Sequence, residues 1–211
     1  MKFDEIEYGY QKAFISAWNA FKRGTTPIGC AIVTNHGTVI SCGENSIYAK
    51  DNNEIISAHP LAHAEINAIL KFSIREHPNI RDYILYTTME PCPLCFGAIV
   101  QSYIRRVRYA AKDGFAGAVC LNNAMEYIIS QKIEINGPDE ILQILQIALV
   151  IYRRLELNFT HNDQFFEMYQ LYCPEGIDLG NKLFSDNSFN DMVKENILAE
   201  VIYDYILGLY T

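Results

Sequence analysis

Ala62-His63-Ala64-Glu65-Ile66 and, with 25 residues between Glu65 and its first residue, Pro91-Cys92-Pro93-Leu94-Cys95 are the two stretches on which the reading of this chain turns. The interval between them has room for one helix and one strand of ordinary length, so the chain can leave the first cluster, cross a sheet and return. One His and two Cys (His63, Cys92, Cys95) suit a zinc ion that keeps a fourth position for water. Glu65 stands beside the His but outside the ligand set, where a hydrolytic zinc site needs a proton carrier. Cys92-x-x-Cys95 by itself also reads as a redox pair or as half of a structural zinc site; His63-x-Glu65 upstream and Pro91 in place turn the balance.

The spacing carries a geometric demand. Residues two apart on a regular helix point about 200° apart, so His63 and Glu65 share a pocket only if the metal lies over the helix end. Cys92 and Cys95, three apart at a helix start, bring both sulfurs to one side of a first turn, where free N–H groups favour thiolates. Two helix N-termini meeting at one zinc are therefore expected.

Around this centre the chain alternates. Asp4 to Lys22 has helical spacing of Ile6, Tyr10, Ala13, Phe14, Ala17, Trp18 and Phe21. Gly29–Thr34 and Thr38–Cys42, joined by Asn35-His36-Gly37, predict a hairpin, and Gly43–Ser57 a loop entering the site. A helix from about Ala62 to Ile74, a buried strand over Arg81–Thr88, the two-Cys helix and a strand over Arg106–Ala111 follow. Ala118–Ile129 reads as a helix, Ile133–Ile135 as a short strand, and Gly137-Pro138-Asp139 opens a helix to about Leu155. The expected fold is α/β, a three-layer α/β/α arrangement with a mixed five-stranded sheet, an antiparallel hairpin followed by parallel strands. Ile141–Tyr152 is apolar nearly all round and should be covered on more than one side. Residues 1–156 are read as one domain and 157–211 as a helical extension packed on it, notably Asp191 to Leu209.

With 211 residues, 50% apolar and 20% charged, the chain can bury a substantial core. The longest apolar stretch is broken by Gln143 and Gln146, and the first residues lack a signal-peptide layout; six Cys without such a signal fit reduced thiols, so a cytoplasmic location is expected and no membrane association. Residues 1–156 carry 15 basic and 16 acidic side chains and residues 157–211 carry 2 and 9, so the tail holds −7 of the net −8. An acidic tail repels phosphate backbones and weighs against a large polyanionic substrate. Arg105, Arg106, Arg108 and Lys112 form the one basic concentration, which strand alternation splits, favouring a solvated edge over a nucleic-acid track.

Pro27-Ile28-Gly29, Gly43-Glu44-Asn45, Ala62-His63-Ala64-Glu65-Ile66 and Thr88 through Ile99 together resemble the cytidine deaminase-like superfamily, on the branch of guanine deaminases and tRNA adenosine deaminases. The resemblance covers roughly residues 1–155, and the helix between the last two strands separates this branch from the small cytidine deaminases. It implies one Zn2+ per chain held by His63, Cys92 and Cys95, with Glu65 as proton shuttle for hydrolysis at an amine-bearing ring carbon. It also implies a homodimer and substrate contacts from Asn45, the backbone at Ala64, and Ile28 as a wall. Asp113, just past a strand end, either lines the pocket or caps a turn. Two departures stand out: His59-Pro60-Leu61 replaces a common Asp-Pro-Thr, and Arg153-Arg154 leads into an acidic extension where the tRNA enzymes end in a basic helix.

The expected activity is therefore deamination of a small purine-type nucleobase or nucleoside, guanine-like for preference. A tRNA adenosine deaminase is the runner-up, and a zinc-stabilised binding protein without turnover is the reading from another class, against which Glu65 argues. His59 is read as a loop residue near the site, His36 as a turn residue, and His77 and His161 as having no nameable partner. Cys30, Cys42, Cys120 and Cys173 are expected as small packed hydrophobes, and the tail tyrosines Tyr203, Tyr205 and Tyr210 as core or interface.

Overall fold

The computed structural model describes residues 2–159 and 164–210; His161 lies outside the described residues. Five strands, β1 (Gly29–Val33), β2 (Val39–Glu44), β3 (Ile84–Met89), β4 (Arg106–Ala111) and β5 (Glu134–Asn136), form one sheet in the order β2-β1-β3-β4-β5. β1 is antiparallel to both β2 and β3, whereas β3, β4 and β5 run parallel. This is the mixed sheet expected from the alternation. Every residue of β1 and β3 is buried, as strands covered on both faces must be.

Helices α1 (Tyr8–Lys22) and α5 (Glu140–Glu156) cover one face, and α2 (Ala64–Leu70) and α3 (Pro93–Gln101) the other. Asp139 caps α5 by accepting from the N–H groups of Ile141 and Leu142 at 3.1 and 3.0 Å. The structure departs from the predicted bounds at several places. The first helix is preceded by a separate 3₁₀ turn at Phe3–Glu5, α2 stops at Leu70 instead of continuing to Ile74, and β2 runs on to Glu44. The predicted helix over 118–129 is replaced by a 3₁₀ segment, Val119–Asn123, and the short α4 (Glu126–Ser130). The reason is local: the Glu90 carboxylate accepts from the N–H of Val119 at 3.1 Å, and the Asn122 amide donates to the carbonyl of Ile133 at 3.0 Å, fastening the segment to the sheet edge.

The extension contributes α6 (Gln164–Tyr172), α7 (Pro174–Ser185), α8 (Ser188–Lys194) and α9 (Ala199–Tyr210); the last two occupy the span predicted as one helix, 191–209. α7 lies along α5. Gly176 and Gly180, one turn apart, allow this approach, because a Cβ there would come within 2.8 Å of Ile147 and 2.7 Å of Ile151. α5 is thus covered by sheet and by extension, as its nearly all-round apolar surface requires. Trp18 of α1 stacks on Phe21 at 5.0 Å, meets Phe189 of α8 edge-on at 5.7 Å and donates from Nε1 to the carbonyl of Ile197 at 2.7 Å. Tail and sheet layers therefore share one core. Tyr203 is buried there; Tyr205 is partly buried against it, and Tyr210 is exposed.

Candidate active site

The parallel strands end at one edge of the sheet, and the site is built there. His63 immediately precedes α2 with extended backbone (φ −79°, ψ 153°), and Cys92 precedes α3 in the same way (φ −70°, ψ 172°). His63 is thus not a helical residue, which removes the 200° conflict with Glu65: the imidazole comes from the cap and the carboxylate from the first turn. Two helix N-termini do meet at one point.

The donor atoms of His63, Cys92 and Cys95 all lie within 4.8 Å of one another. His63 Nδ1 is 3.5 Å from Cys92 Sγ and 3.4 Å from Cys95 Sγ. Tetrahedral zinc with its usual Zn–N and Zn–S bond lengths would hold such N and S atoms about 3.6 Å apart, so the spacing suits three ligands of one ion. Among the protein groups themselves, hydrogen bonds from Cys95 and then His63 pull the Cys92 thiol down to about 4. The hydrogen bond to Cys92, with burial next, pushes the Cys95 thiol up, and the Cys92 contact raises the imidazole. The two thiols shift in opposite directions because each is hydrogen-bonded to the other. Thiols that coordinate a divalent cation are deprotonated outright. The donor set fits one Zn2+.

Glu65 is 3% exposed. Its carboxylate accepts from Thr87 Oγ1 at 3.1 Å and lies 3.2 Å from Cys95 Sγ. Burial raises its pKa, partly offset by its own backbone N–H and by Cys95, so the group holds a proton more readily than an exposed carboxylate. A carboxyl against the ligand set with a raised pKa is equipped to take up and release a proton.

The loop from Asn45 to Pro60 is pinned beside this centre. Asn67, fully buried on α2, donates to the carbonyls of Glu44 and Ile56 and to Ser46 Oγ, each at 3.1 Å, and accepts from the N–H of Ile56 at 2.9 Å. Partly exposed ion pairs Glu54–Lys71 and Arg23–Glu44, both at 2.5 Å, hold its flanks. Asn45 is buried, and its Oδ1 accepts from Thr25 Oγ1 at 2.9 Å and from the N–H of Ile47 at 3.3 Å, which fixes the direction of its amide NH2. Ala64 is the first residue of α2, where N–H groups lack intrahelical partners. Ile28 is half-buried just before β1 and, with Asp113, lines a cavity of about 100 Å³ together with Thr26, Tyr48 and Met89. Asp113 borders this cavity, which touches none of the metal-ligand candidates, and its Oδ1 caps a turn by accepting from the N–H groups of Phe115 and Ala116, both at 2.9 Å. A larger open cleft of about 530 Å³ lies beyond Asp113 and touches none of His63, Glu65, Cys92 or Cys95.

Thr87, Thr25 and Asn67 escaped the reading of the sequence. Each is a polar residue in an otherwise apolar or turn-like stretch, and burial in an unbroken strand is the signal that would have found Thr87. The basic residues are absorbed structurally. Arg105 is buried and donates to the carbonyls of Val100 and Ile104; Arg106 pairs with Glu134 at 3.5 Å, Arg108 with Glu7, and Lys112 sits 4.1 Å over the Tyr172 ring. His59 accepts from the N–H of Leu61 at 3.1 Å in an exposed turn, and His77 contacts Tyr83 Oη at 3.2 Å, a partner the sequence did not suggest. Cys30 and Cys173 are buried and Cys42 half-buried, whereas Cys120 is exposed and departs from the packed role expected of it; all six are free thiols. No helix among the described residues is long and apolar enough to cross a membrane.

Comparison with known proteins agrees with this geometry. Residues 4–111 match the family described as the cytidine and deoxycytidylate deaminase zinc-binding region. A tRNA-specific adenosine deaminase of Rickettsia typhi is 35% identical over 111 residues, covering 52% of this chain and 70% of that one. A guanine deaminase of Bacillus subtilis is 33% identical over 102 residues, 48% of this chain and 60% of that one. The solved guanine deaminase of Nitrosomonas europaea shares the fold at 23% identity, with a TM-score of 0.50 over 70% of this chain and 82% of that one. The two clusters that meet at the sheet edge, one His-x-Glu and one Pro-Cys-x-x-Cys, are those of a hydrolytic zinc deaminase, and the chain belongs to the cytidine and deoxycytidylate deaminase zinc-binding family.

Proposed function

We propose that this enzyme hydrolytically deaminates a small purine-type nucleobase or nucleoside, with guanine-like rings preferred, and that residues 1–156 form the deaminase unit and 157–211 an extension serving it. The observation that carries the reading is the contact of Glu65 with the ligand triangle, 3.2 Å from Cys95 Sγ, without membership of it. A site built only to stabilise the fold has no use for a buried carboxylate there.

His63, Cys92 and Cys95 would hold the zinc, which when bound polarises a water and lowers its pKa from 15.7 to about 7. Glu65 takes one proton from the attacking water and passes it to a ring nitrogen, then carries the second proton, from the hydroxyl now on the ring carbon, to the departing amine. The carbon–nitrogen bond breaks, a carbonyl replaces it, and ammonia leaves. Thr87 donates to Glu65 and keeps its carboxyl turned toward the site. Asn45, its oxygen already committed to Thr25 and Ile47, offers the amide NH2 to a ring acceptor, the N–H of Ala64 holds a ring substituent, and Ile28 walls one face. Asp113 borders the outer side of the pocket.

The preference for a small substrate rests on charge and size. The tail is strongly acidic, and the arginines of β4 are taken up by carboxylates and carbonyls. The likeness to the tRNA-specific enzyme of Rickettsia typhi favours adenosine in tRNA as the second reading. A homodimer follows from the family resemblance, and free thiols suit a cytoplasmic location. Ammonia release from a panel of free bases, nucleosides and a tRNA anticodon stem-loop separates the readings: turnover of free purines or nucleosides is expected, and activity on the stem-loop alone would overturn the proposal.

A further inference from the structure

We propose that Thr25 is a positioning residue for substrate recognition: its hydroxyl sets the Asn45 amide so that the side chain presents its NH2, and only a donor, to the ring. The inference rests on the reading of Asn45 as a ring contact and adds the group that makes this contact directional. Asn45 is 3% exposed and Thr25 fully buried, and Thr25 Oγ1 donates to Asn45 Oδ1 at 2.9 Å. The same Oγ1 accepts from the N–H of Tyr48 at 3.3 Å, which leaves its one proton for Asn45. The N–H of Ile47, a donor that cannot reverse its role, also meets Asn45 Oδ1 at 3.3 Å, so both lone pairs of that oxygen are taken. Among the described residues no acceptor meets Asn45 Nδ2, and Nδ2 is not sealed from solvent. A nearly buried amide with its oxygen satisfied twice and its NH2 open is equipped to read an acceptor.

Both partners are held in place. Thr25 follows Gly24, whose φ of +77° turns the chain at the end of α1, and its N–H donates to the carbonyl of Ala20 at 3.1 Å. Gln146 of α5 donates to the carbonyl of Pro27 at 2.7 Å, and the N–H of Asn45 donates to the carbonyl of Ile28 at 2.9 Å. The N–H of Ser46 donates to the carbonyl of Ala62 at 2.9 Å, tying the residue after Asn45 to the residue before His63. β2 runs so close to α2 that a Cβ on Gly43 would collide with the carbonyl of Ala64. Asn45 therefore stands beside the metal-binding end of α2. Without the Thr25 hydroxyl, only the longer bond from Ile47 opposes rotation of the amide, and a flipped amide would offer the ring an acceptor in place of a donor.

The test measures kcat and KM in the wild type, Thr25→Val, Thr25→Ser, Asn45→Ala and the Thr25→Val/Asn45→Ala pair, on the substrate that the wild type turns over best, with zinc content and unfolding midpoint as controls. Val keeps the shape and removes the hydroxyl. Its KM is expected to rise roughly three- to tenfold, the size of one neutral hydrogen bond, with kcat within about twofold of wild type, as for a loss of uniform binding. Ser keeps the hydroxyl and is expected to keep the wild-type KM. In the pair, Val is expected to add nothing to the KM of Asn45→Ala, because residues that act through one contact are not additive. Thr25→Ala takes the place of Val should Val fail to fold. A Val effect that persists undiminished in the Asn45→Ala background would overturn the assignment, as would an unchanged Val KM, a fall in kcat alone or a Ser variant as impaired as Val. An Asn45→Ala variant with unchanged KM removes the ring contact and this inference together. Turnover of the stem-loop alone defeats the small-substrate proposal, and the same cycle run on the stem-loop then decides the role of Thr25 by the same criteria.

Discussion

Replacing Glu65 with Gln isolates proton transfer from metal binding. Gln has the same shape, so it can still accept from Thr87 Oγ1 at the position where Glu65 does so at 3.1 Å. None of the three metal donors is altered. What disappears is the ability to carry a proton between water, ring nitrogen and leaving amine. General acid–base catalysis contributes about 10²–10⁴ in rate, or roughly 2.7–5.4 kcal/mol at 1.36 kcal/mol per decade. The effect should fall on kcat, because the carboxyl works in the transition state. Stability should not suffer, since burial already disfavours the ionised carboxylate. Continuous ammonia detection at saturating substrate, zinc analysis and thermal unfolding on one preparation read all three. The expected result is at least about a hundredfold lower kcat with zinc retained and an unchanged or higher midpoint. A variant within tenfold of wild type would mean that another group moves the proton, and loss of zinc would mean that Glu65 belongs to the ligand set.

Cys92→Ala should lose zinc and stability together, because ligand binding is part of the folding free energy; full zinc occupancy in a stable variant would contradict this. Asn45→Ala removes the acceptor of Thr25 Oγ1 and the amide proposed to meet the ring, so KM should rise about tenfold for a lost hydrogen bond of roughly 1–1.5 kcal/mol, whereas a kcat-only effect would place Asn45 elsewhere in the mechanism. Trp18→Ala empties a stacked site and strands the carbonyl of Ile197, at a cost of about 3–5 kcal/mol. With about 2–4 °C per kcal/mol for a chain of this size, calorimetry should record a fall of more than about 6 °C. A smaller fall would mean that the extension is not held through this contact. Truncation after residue 157 removes Phe189 and the α7 face from the core and should abolish soluble expression; a soluble, active truncation would count against the shared core.

The metal centre was legible because its information is local: two short clusters, each at a helix start, with a helix and a strand between. The strand directions were legible for a related reason, since alternating strand and helix imply parallel crossovers. The helix over 118–129 was misjudged because its apolar spacing competes with the Glu90 carboxylate, whose partners Asp113 and Val119 no pattern reveals. Asp113 itself was placed at the pocket edge, but not its bond to Tyr169, which joins residues 56 apart in sequence. Strand alternation parts Arg106 and Arg108 from Arg105 as read, but their partners, the carboxylates of Glu134 and Glu7, come from distant stretches. Arg153, read only as leading into the acidic extension, is buried, donating to the carbonyl of Phe21 at 2.5 Å and lying 4.2 Å over its ring. Such absorption depends on long-range partners and leaves no periodic trace.

Elemental analysis of the purified enzyme during turnover of a free purine bears most directly on the account. One zinc per chain, loss of zinc and ammonia release together in His63→Ala, and recovery of activity when chelator-stripped wild type receives zinc are the results expected from the His63, Cys92, Cys95 triangle. Undiminished ammonia release from wild-type protein shown to contain no metal would contradict it.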